Sequence, residues 1–198
     1  MAKISLELIQ QLRERTGVGM LDCKKALEES NGDIEQAVAI LRKKGAAVAA
    51  KRSSNATAEG LVHAYIHPGA QVGVLIEINC ETDFVARTDD LKKFASDVCM
   101  HIAAMKPLYL SPEEVDQKFL EHERDIFKQQ LIDSGKPEKI LSQIIDGKIQ
   151  KLYSEICLLQ QPFVKNDQLT IDELLKELIG KIGESIKIKR FARYEIGS

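Results

Sequence analysis

The sequence has no excess of charge of either sign, which narrows the classes of partner. Of its 198 residues, 28 are basic and 30 are acidic, giving a formal net charge of −2. Proteins that bind nucleic acid or anionic membranes usually carry a clear basic surplus. The composition therefore favours a protein partner, and we expect no direct contact with nucleic acid.

Long apolar runs are also lacking. Lys3 and Glu7 argue against the apolar core of a secretory signal in residues 1–10, and no later run is long enough to span a bilayer. An apolar content of 44% is enough for a globular core. We therefore expect a globular protein that is cytoplasmic and makes no membrane contact.

Metal-binding spacing is missing as well. The sequence has no C-x-x-C pair among its four cysteines, Cys23, Cys80, Cys99 and Cys157. Cysteines that lie this far apart in the sequence are typically reduced and buried. His63 and His67 would lie roughly 13 Å apart in a strand, too far for one metal ion. We predict no metal site and no cofactor.

Nucleotide-binding and catalytic motifs are absent too. No Gly-x-Gly-x-x-Gly follows a strand pattern, and Gly17-Val18-Gly19 lies between predicted helices without the lysine and hydroxyl of a phosphate loop. The four histidines form no nucleophile–base motif. We therefore predict that the protein is not an enzyme.

Residues 4–45 carry three apolar stripes at helical spacing, which predict a three-helix bundle. The stripes consist of Ile4, Leu8, Ile9 and Leu12, then Met20, Cys23, Ala26 and Leu27, then Ile34, Ala37, Val38 and Leu41.

The ends of the third helix are marked by capping residues. Asp33 with Gln36 predicts its start, and Lys43-Lys44-Gly45 predicts its end. We therefore predict a domain at 1–45 and, because apolar periodicity stops, a linker at 46–58.

From residue 59 the pattern predicts an α+β domain that extends to residue 198. Two strands joined by Pro68-Gly69-Ala70 precede a helix that stops at Lys106-Pro107, and a further strand covers 186–196. Thr170 with Glu173 caps a shorter helix that ends at Gly183. The three strands predict an antiparallel sheet covered by helices.

A long helical hairpin is predicted at about 111–160. Ser111-Pro112-Glu113-Glu114 predicts the start of its first helix, which ends near Ser134-Gly135, and Pro137 begins the second. Gly147 marks a weak point in the second helix.

Both faces of the predicted sheet are apolar. Val62, Ala64 and Ile66 alternate with other apolar residues, so Leu61, Tyr65, Leu75 and Phe191 fall on the opposite faces of their strands. An apolar outer face favours a second sheet packed against it.

The turn after the second strand carries a carboxylate and a large aromatic, Asp83 and Phe84. From the residues alone, Phe84 is more often a core side chain and Asp83 a turn cap. A turn in which both project outward would instead contact a partner.

Three stretches carry a resemblance to a known family: Leu12–Leu27, Glu77–Arg87 and Arg193–Gly197. Together they resemble bacterial translation elongation factor Ts. This resemblance implies a ubiquitin-associated-type (UBA-like) amino-terminal bundle. It also implies a guanine-nucleotide exchange factor for the GTPase elongation factor Tu, which binds that partner with GDP or without nucleotide. Short members resembling this chain are expected to supply the second sheet by homodimerisation.

The family's functional residues can be placed on this sequence. The segment implied to enter elongation factor Tu and dislodge Mg²⁺ is Thr82, Asp83, Phe84 and Val85. The implied partner-binding residues are Arg13, Met20, Leu21, Cys23, Lys24 and His101. Bundle core remains an alternative for Met20 and Leu21, although adjacent residues on a helix cannot both point inward. An ordinary helix-surface position remains an alternative for His101. Whether Phe84 and His101 act from one protomer also stays open.

Two other functions remain as alternatives. The bundle is compatible with a peptide-binding or protein-binding module attached to a structural oligomerisation domain. The basic residues between Arg42 and Arg52 are compatible with RNA phosphate binding, although no aromatic residue is interleaved for base stacking.

Overall fold

The structure, a computed structural model, describes residues 4–133 and 137–197, which contain eight α-helices and five strands. In chain order these are α1 Leu6–Thr16, α2 Met20–Glu29, α3 Ile34–Arg52, β1 Glu59–Ile66, β2 Val72–Cys80, α4 Asp83–Ala86, α5 Asp89–Met105, α6 Gln117–Asp133, α7 Glu138–Ile156, β3 Pro162–Phe163, β4 Asn166–Thr170, α8 Ile171–Ile182 and β5 Ile186–Glu195. The mixture of helices with a three-stranded antiparallel sheet agrees with the predicted α+β class.

Helices α1, α2 and α3 enclose a separate apolar cluster, as the three stripes predict. Its buried members are Ile9, Leu12, Cys23, Ala26, Leu27, Ala37 and Leu41. The Ser5 side chain caps α1, and the Asp33 carboxylate accepts a hydrogen bond from the Gln36 backbone at 2.9 Å. A three-helix bundle is confirmed, whereas its ubiquitin-associated-type character stays a prediction.

The predicted end of α3 at Gly45 is wrong. The helix continues to Arg52, so residues 46–52 are helical and do not form a linker. Gly45 lies where α3 crosses α8 closely: a Cβ on Gly180 of α8 would lie 2.5 Å from the Gly45 Cα, and a Cβ on Gly45 would lie 3.1 Å from the Lys176 carbonyl oxygen. Two backbones approach this closely only where a side chain is missing. Ala49, one turn further on, is buried in the second, larger core.

The main sheet has the order β1-β2-β5, with antiparallel pairing throughout. The predicted hairpin is present, and the His67 backbone nitrogen donates to the Val72 carbonyl at 2.9 Å where the strands join. Helix α5 packs against β1 and β2. Val74, Ile76 and Ile78 are buried between the sheet and the helices.

The opposite face of the sheet is apolar and exposed. Val62 is 65% exposed and Ile66 is 64% exposed on β1, and Leu75 of β2 and Tyr194 of β5 are exposed as well. Ala64, Leu75 and Ala192 lie side by side across the three strands. An apolar outer face therefore exists, as the sequence predicts.

Phe191 lies on the same face of β5 as Ile186 and Ile188, whereas the alternation in the sequence predicts the opposite face. The register of β5 shifts where Glu77 pairs with Arg190 but Ile78 pairs with Ile188, which leaves Lys189 as an extra residue. A β-bulge of this kind reverses the side-chain alternation beyond it. Phe191 therefore packs against the core together with Leu61 and Tyr65.

Helices α6 and α7 form the predicted helical hairpin. Leu131, Leu141, Ile145 and Ile149 are buried between them. The predicted start of the first helix at Ser111 is wrong, because Pro112–Glu114 forms only a 3-10 turn and extended backbone at Val115 ends it. Helix α7 runs through Gly147 without a break. The predicted end near Ser134-Gly135 lies outside the described residues.

Residues 162–182 contain one predicted and one unpredicted element. Thr170 and Glu173 form the predicted capping box of α8, and Gly183 ends that helix with a left-handed backbone. The short β3–β4 hairpin before it was not predicted. It packs against α5, where the Val164 backbone nitrogen donates to His101.

All four cysteines are free and buried, as predicted. Burial raises the pKa of the Cys99 thiol to about 12. Within the described ranges, no helix has both the length and the apolar character that crossing a membrane requires.

Candidate functional site

The one-turn helix α4 forms the projecting part of the molecule. Thr82 caps it, since its hydroxyl oxygen accepts a hydrogen bond from the Val85 backbone at 3.4 Å. The turn is short because the Thr88 hydroxyl donates to the Val85 carbonyl and then caps α5. The chain therefore leaves β2, makes one helical turn and enters α5.

Phe84 and Val85 point in opposite directions from this turn. Val85 is 8% exposed and belongs to the main core cluster, whereas Phe84 is 79% exposed. An exposed phenylalanine on a surface turn loses the free energy that burial of its ring would give. The structure thus places Phe84 on the surface and Val85 in the core, where Val85 anchors the turn.

The Asp83 carboxylate lies beside Phe84 and is also accessible. It accepts a hydrogen bond from Arg87 at 2.8 Å, in a pair whose two side chains are 44% and 77% exposed. An exposed pair at this helical spacing contributes only about 0.3 to 0.5 kcal/mol. Asp83 can therefore leave Arg87 for a stronger partner at little cost.

Two glutamates hold the base of the turn rigidly. Glu184 accepts from the Thr82 backbone nitrogen at 3.1 Å and from the Thr82 hydroxyl at 2.8 Å. Glu81 accepts from the Ser185 backbone nitrogen at 2.6 Å and from Arg52 at 3.1 Å. The Ser185 hydrogen bond, followed by those from Asn55 and Arg52, lowers the pKa of Glu81.

These supporting residues were missed by sequence reasoning. Glu184 lies 102 residues from Thr82 and Arg52 lies 29 residues from Glu81, so no local pattern joins them. The sequence does place both glutamates next to recognisable features: Glu81 immediately precedes the turn, and Glu184 immediately follows the capping residue Gly183.

The bundle presents a second accessible surface at the start of α2. Leu21 is 67% exposed and Met20 is 38% exposed. Lys24, one helical turn further along α2, is exposed as well, and so is Arg13 of α1. Met20 is therefore not a buried core residue of the bundle. Apolar side chains next to cations suit a protein-binding surface.

Cys23 does not belong to that surface. Its side chain is fully buried in the bundle core, and its thiol donates to the Val18 carbonyl at 3.4 Å. The expectation of direct partner contact is therefore not met in this structure. The helical period explains this, because Cys23 shares its face with the buried residues Ala26 and Leu27.

His101 is buried as well, contrary to both expectations for it. Its Nδ1 accepts from the Val164 backbone at 3.2 Å, so its Nε2 donates to the Gln161 side chain at 2.9 Å. Burial lowers the pKa of His101, and the Gln161 hydrogen bond opposes that effect. The β3–β4 hairpin covers the face of α5 that carries His101. The apolar periodicity of α5 predicts that this face is exposed.

Lys181 of α8 brings the bundle close to the projecting turn. Its Nζ lies 2.6 Å from an Asp90 carboxylate oxygen in the first turn of α5. A Cβ placed on Gly17, in the α1–α2 loop, would lie 2.9 Å from the same Nζ. The loop that leads to Met20 and Leu21 therefore lies close to α5, and the Lys181 side chain lies between them.

No group of three or more histidine, cysteine, aspartate or glutamate side chains in ranges 4–133 and 137–197 has a geometry that could hold a metal ion.

Comparison with known proteins gives one consistent family. The family model described as "Elongation factor TS" matches residues 8–198. "Elongation factor Ts" of Carboxydothermus hydrogenoformans is 53% identical over 194 residues, covering 98% of this chain and 89% of the relative. That of Desulfosudis oleivorans is 53% identical over 197 residues and covers 100% of both chains. That of Thermoanaerobacter sp. is 53% identical, covering 98% of this chain and 95% of the relative.

Proposed function

The chain belongs to the elongation factor Ts family, and we propose that it is a guanine-nucleotide exchange factor that binds elongation factor Tu and promotes release of GDP. The single observation that carries the mechanism is the outward position of Phe84 on a turn whose base is held by hydrogen bonds to Glu184 and Glu81. No bond is made or broken in exchange, so the proposal needs no catalytic residue and no cofactor in this chain. It places the activity in the cytoplasm.

Phe84 is the group that enters the partner. Burying its ring in a pocket that opens only when nucleotide leaves would contribute about 2 to 3 kcal/mol. A thousandfold acceleration of release requires about 4 kcal/mol of preferential stabilisation. Phe84 therefore supplies a large part of the effect but needs help from other contacts.

Asp83 supplies the second contact. Its carboxylate can leave the weak ion pair with Arg87 and accept stronger hydrogen bonds from the partner. The N-terminus of a partner helix offers backbone N–H groups and a positive dipole end, both of which favour an anion. Movement of such a helix would disturb the Mg²⁺ ligands near it and loosen GDP.

The residues around this pair have supporting roles. Thr82 caps the turn and Val85 anchors it in the core, so neither needs to touch the partner. A flexible turn would lose conformational entropy on insertion, whereas a braced one has already lost it. The rigid base therefore increases the share of binding energy available for GDP release.

The exposed bundle surface docks the partner before insertion. Met20 and Leu21 offer apolar area, and Arg13 and Lys24 offer charge that steers association. His101 and Cys23 act within the fold, by holding α5 and α2, and do not contact the partner.

Nucleotide and this protein must affect each other's binding to elongation factor Tu equally, because the two binding equilibria are thermodynamically linked. If the protein weakens the affinity of elongation factor Tu for GDP and Mg²⁺, nucleotide must weaken the affinity for the protein by the same factor. Binding of a new nucleotide then displaces the protein from its partner, so one molecule serves many cycles.

A homodimer completes the proposal. The exposed sheet face with Val62, Ile66 and Leu75 is apolar, and it also carries the Glu77–Arg190 ion pair. Packing two such faces would remove both from water, and sheets commonly stack in this way. We therefore propose that a second copy of the chain covers this face.

RNA binding is not favoured by the charges of the structure. Three of the basic residues between Arg42 and Arg52 are already paired: Arg42 with Glu177, Lys44 with Asp22, and Arg52 with Glu81. These pairs lower the positive potential that phosphates would need.

The proposed function is tested by loading elongation factor Tu with fluorescent GDP and following its release in excess unlabelled GDP. We expect at least a tenfold faster release with micromolar protein. Equal rates with and without the protein contradict the proposal. RNA binding that falls steeply with salt would favour the alternative.

A further inference from the structure

Helix α3 belongs to both parts of the molecule. Its first half contributes Ala37 and Leu41 to the bundle core, and its second half contributes Ala49 to the core beneath the sheet. Because the helix is continuous from Ile34 to Arg52, the bundle and the sheet domain share one rigid element. They are not joined by a flexible linker at this point.

Ion pairs connect α3 to both proposed contact surfaces. Lys44 pairs with Asp22 at 2.5 Å, and Asp22 directly follows the exposed Leu21 on α2. Arg52 pairs with Glu81 at 3.1 Å, and Glu81 directly precedes Thr82. Eight residues of α-helix separate Lys44 from Arg52, which corresponds to about 12 Å.

Contact with α8 fixes the direction of α3. A Cβ on Gly180 would lie 2.5 Å from the Gly45 Cα, and a Cβ on Gly45 would lie 3.1 Å from the Lys176 carbonyl oxygen. Arg42 also pairs with Glu177 of α8 at 2.8 Å. The obstructing atoms belong to backbone, so an added methyl group must displace one helix from the other.

We propose that α3 is a positioning strut, locked by the Gly45–Gly180 crossing, that sets the direction in which Phe84 enters the partner once the bundle has docked. Gly45, Gly180, Arg52 and Glu81 are positioning residues and touch no partner atom. This inference rests on the proposed exchange function, because it concerns how the two contact surfaces act together. Displacements of about 1 Å at a positioned group can cost about a hundredfold in rate.

The test is the substitution Gly180→Ala, with Gly147→Ala as its matched control. Both replace a helical glycine by alanine, but a Cβ at Gly147 meets no atom within 4 Å. We expect Gly180→Ala to slow GDP release about tenfold at saturating protein, and Gly147→Ala to leave the rate unchanged. Melting temperature and circular dichroism establish that each variant is folded.

A double-mutant cycle with Phe84→Ala separates positioning from general destabilisation. If the strut acts through Phe84, Gly180→Ala costs less than about twofold once Phe84 is removed. The same tenfold loss in both backgrounds overturns the inference, because it indicates damage unrelated to insertion.

Arg52→Gln provides a second variant that adds no volume at the crossing. It removes the ion pair with Glu81, and we expect about a threefold slower release that disappears in the Phe84→Ala background. It decides the question if Gly180→Ala does not fold. Wild-type rates for Arg52→Gln, or for a folded Gly180→Ala, overturn the strut while leaving the exchange function intact. Failure of the wild-type protein to accelerate release contradicts the exchange function itself.

Discussion

Glu184 accepts two hydrogen bonds from Thr82, one from its backbone nitrogen at 3.1 Å and one from its hydroxyl at 2.8 Å. This carboxylate reaches the turn from a position two residues beyond the end of α8, just after the capping residue Gly183. It holds the base of α4 while Phe84 stays exposed. The projecting residue is therefore supported by a part of the chain that is remote in sequence.

Replacing Glu184 by alanine is expected to loosen this turn. Two donors of Thr82 would lose their acceptor, which costs roughly 1 to 3 kcal/mol of folding free energy. We expect GDP release to slow about tenfold, because the mobile turn must be ordered on insertion. Stopped-flow fluorescence measures the rate, and Glu121→Ala, at an exposed position of α6, is the control. An unchanged rate would show that the brace has no part in exchange.

The proposed disturbance of Mg²⁺ predicts a dependence on that ion. When a chelator removes Mg²⁺, elongation factor Tu should lose GDP quickly without help. The acceleration produced by this protein should then shrink severalfold, since one of its effects has already occurred. Release rates measured with millimolar Mg²⁺ and with chelator, each with and without protein, give this ratio. An acceleration that is equal in both conditions would exclude a Mg²⁺-linked mechanism.

The apolar outer face of the sheet predicts a dimer. In sedimentation equilibrium we expect twice the mass of one chain for the wild-type protein. Val62→Glu places a charge on the face and should give monomers, because an unpaired carboxylate is costly to bury. Leu108→Glu, at a similarly exposed apolar position outside the face, is the control. A wild-type protein that is monomeric at micromolar concentration rules out this use of the face.

Buried His101 predicts a pH dependence of stability. Burial lowers the pKa of His101 below 6.5, so the unfolded chain binds a proton there that the folded chain does not. Stability is therefore expected to fall as the pH drops below about 6.5. His101→Gln should flatten this part of the profile and cost roughly 1 to 3 kcal/mol through the unpaired Gln161 and Val164 groups.

Urea unfolding between pH 5 and 8 measures this dependence, with His122→Gln, at an exposed position of α6, as the control. A profile that keeps its slope in His101→Gln would assign the pH dependence to other groups.

Local chemistry in the sequence predicted local structure well. The Thr170–Glu173 capping box and the Asp33 cap were found as predicted, because each depends on residues within one helical turn. Gly45 was misinterpreted because a glycine at a helix crossing and a glycine at a helix end have the same sequence. Only the approach of Gly180 distinguishes them.

Tertiary contacts account for the other differences. The extra residue Lys189 moved Phe191 to the core face, and a bulge leaves no clear trace in the alternation pattern. His101 is covered by a hairpin about 60 residues away, so the stripe on α5 could not predict its burial. For Phe84, the residue pattern favoured the core and the family resemblance favoured the surface, where the side chain lies.

Entry of Phe84 into the partner is tested by comparing Phe84→Ala with the wild-type protein in GDP release from elongation factor Tu at saturating concentration. The side chain is exposed, so the variant should keep the wild-type melting temperature, with Leu108→Ala as an exposed apolar control. We predict a rate roughly 30 to 150 times slower for Phe84→Ala, which corresponds to the loss of about 2 to 3 kcal/mol. A folded Phe84→Ala protein that promotes GDP release at the wild-type rate would contradict the insertion of Phe84 into elongation factor Tu.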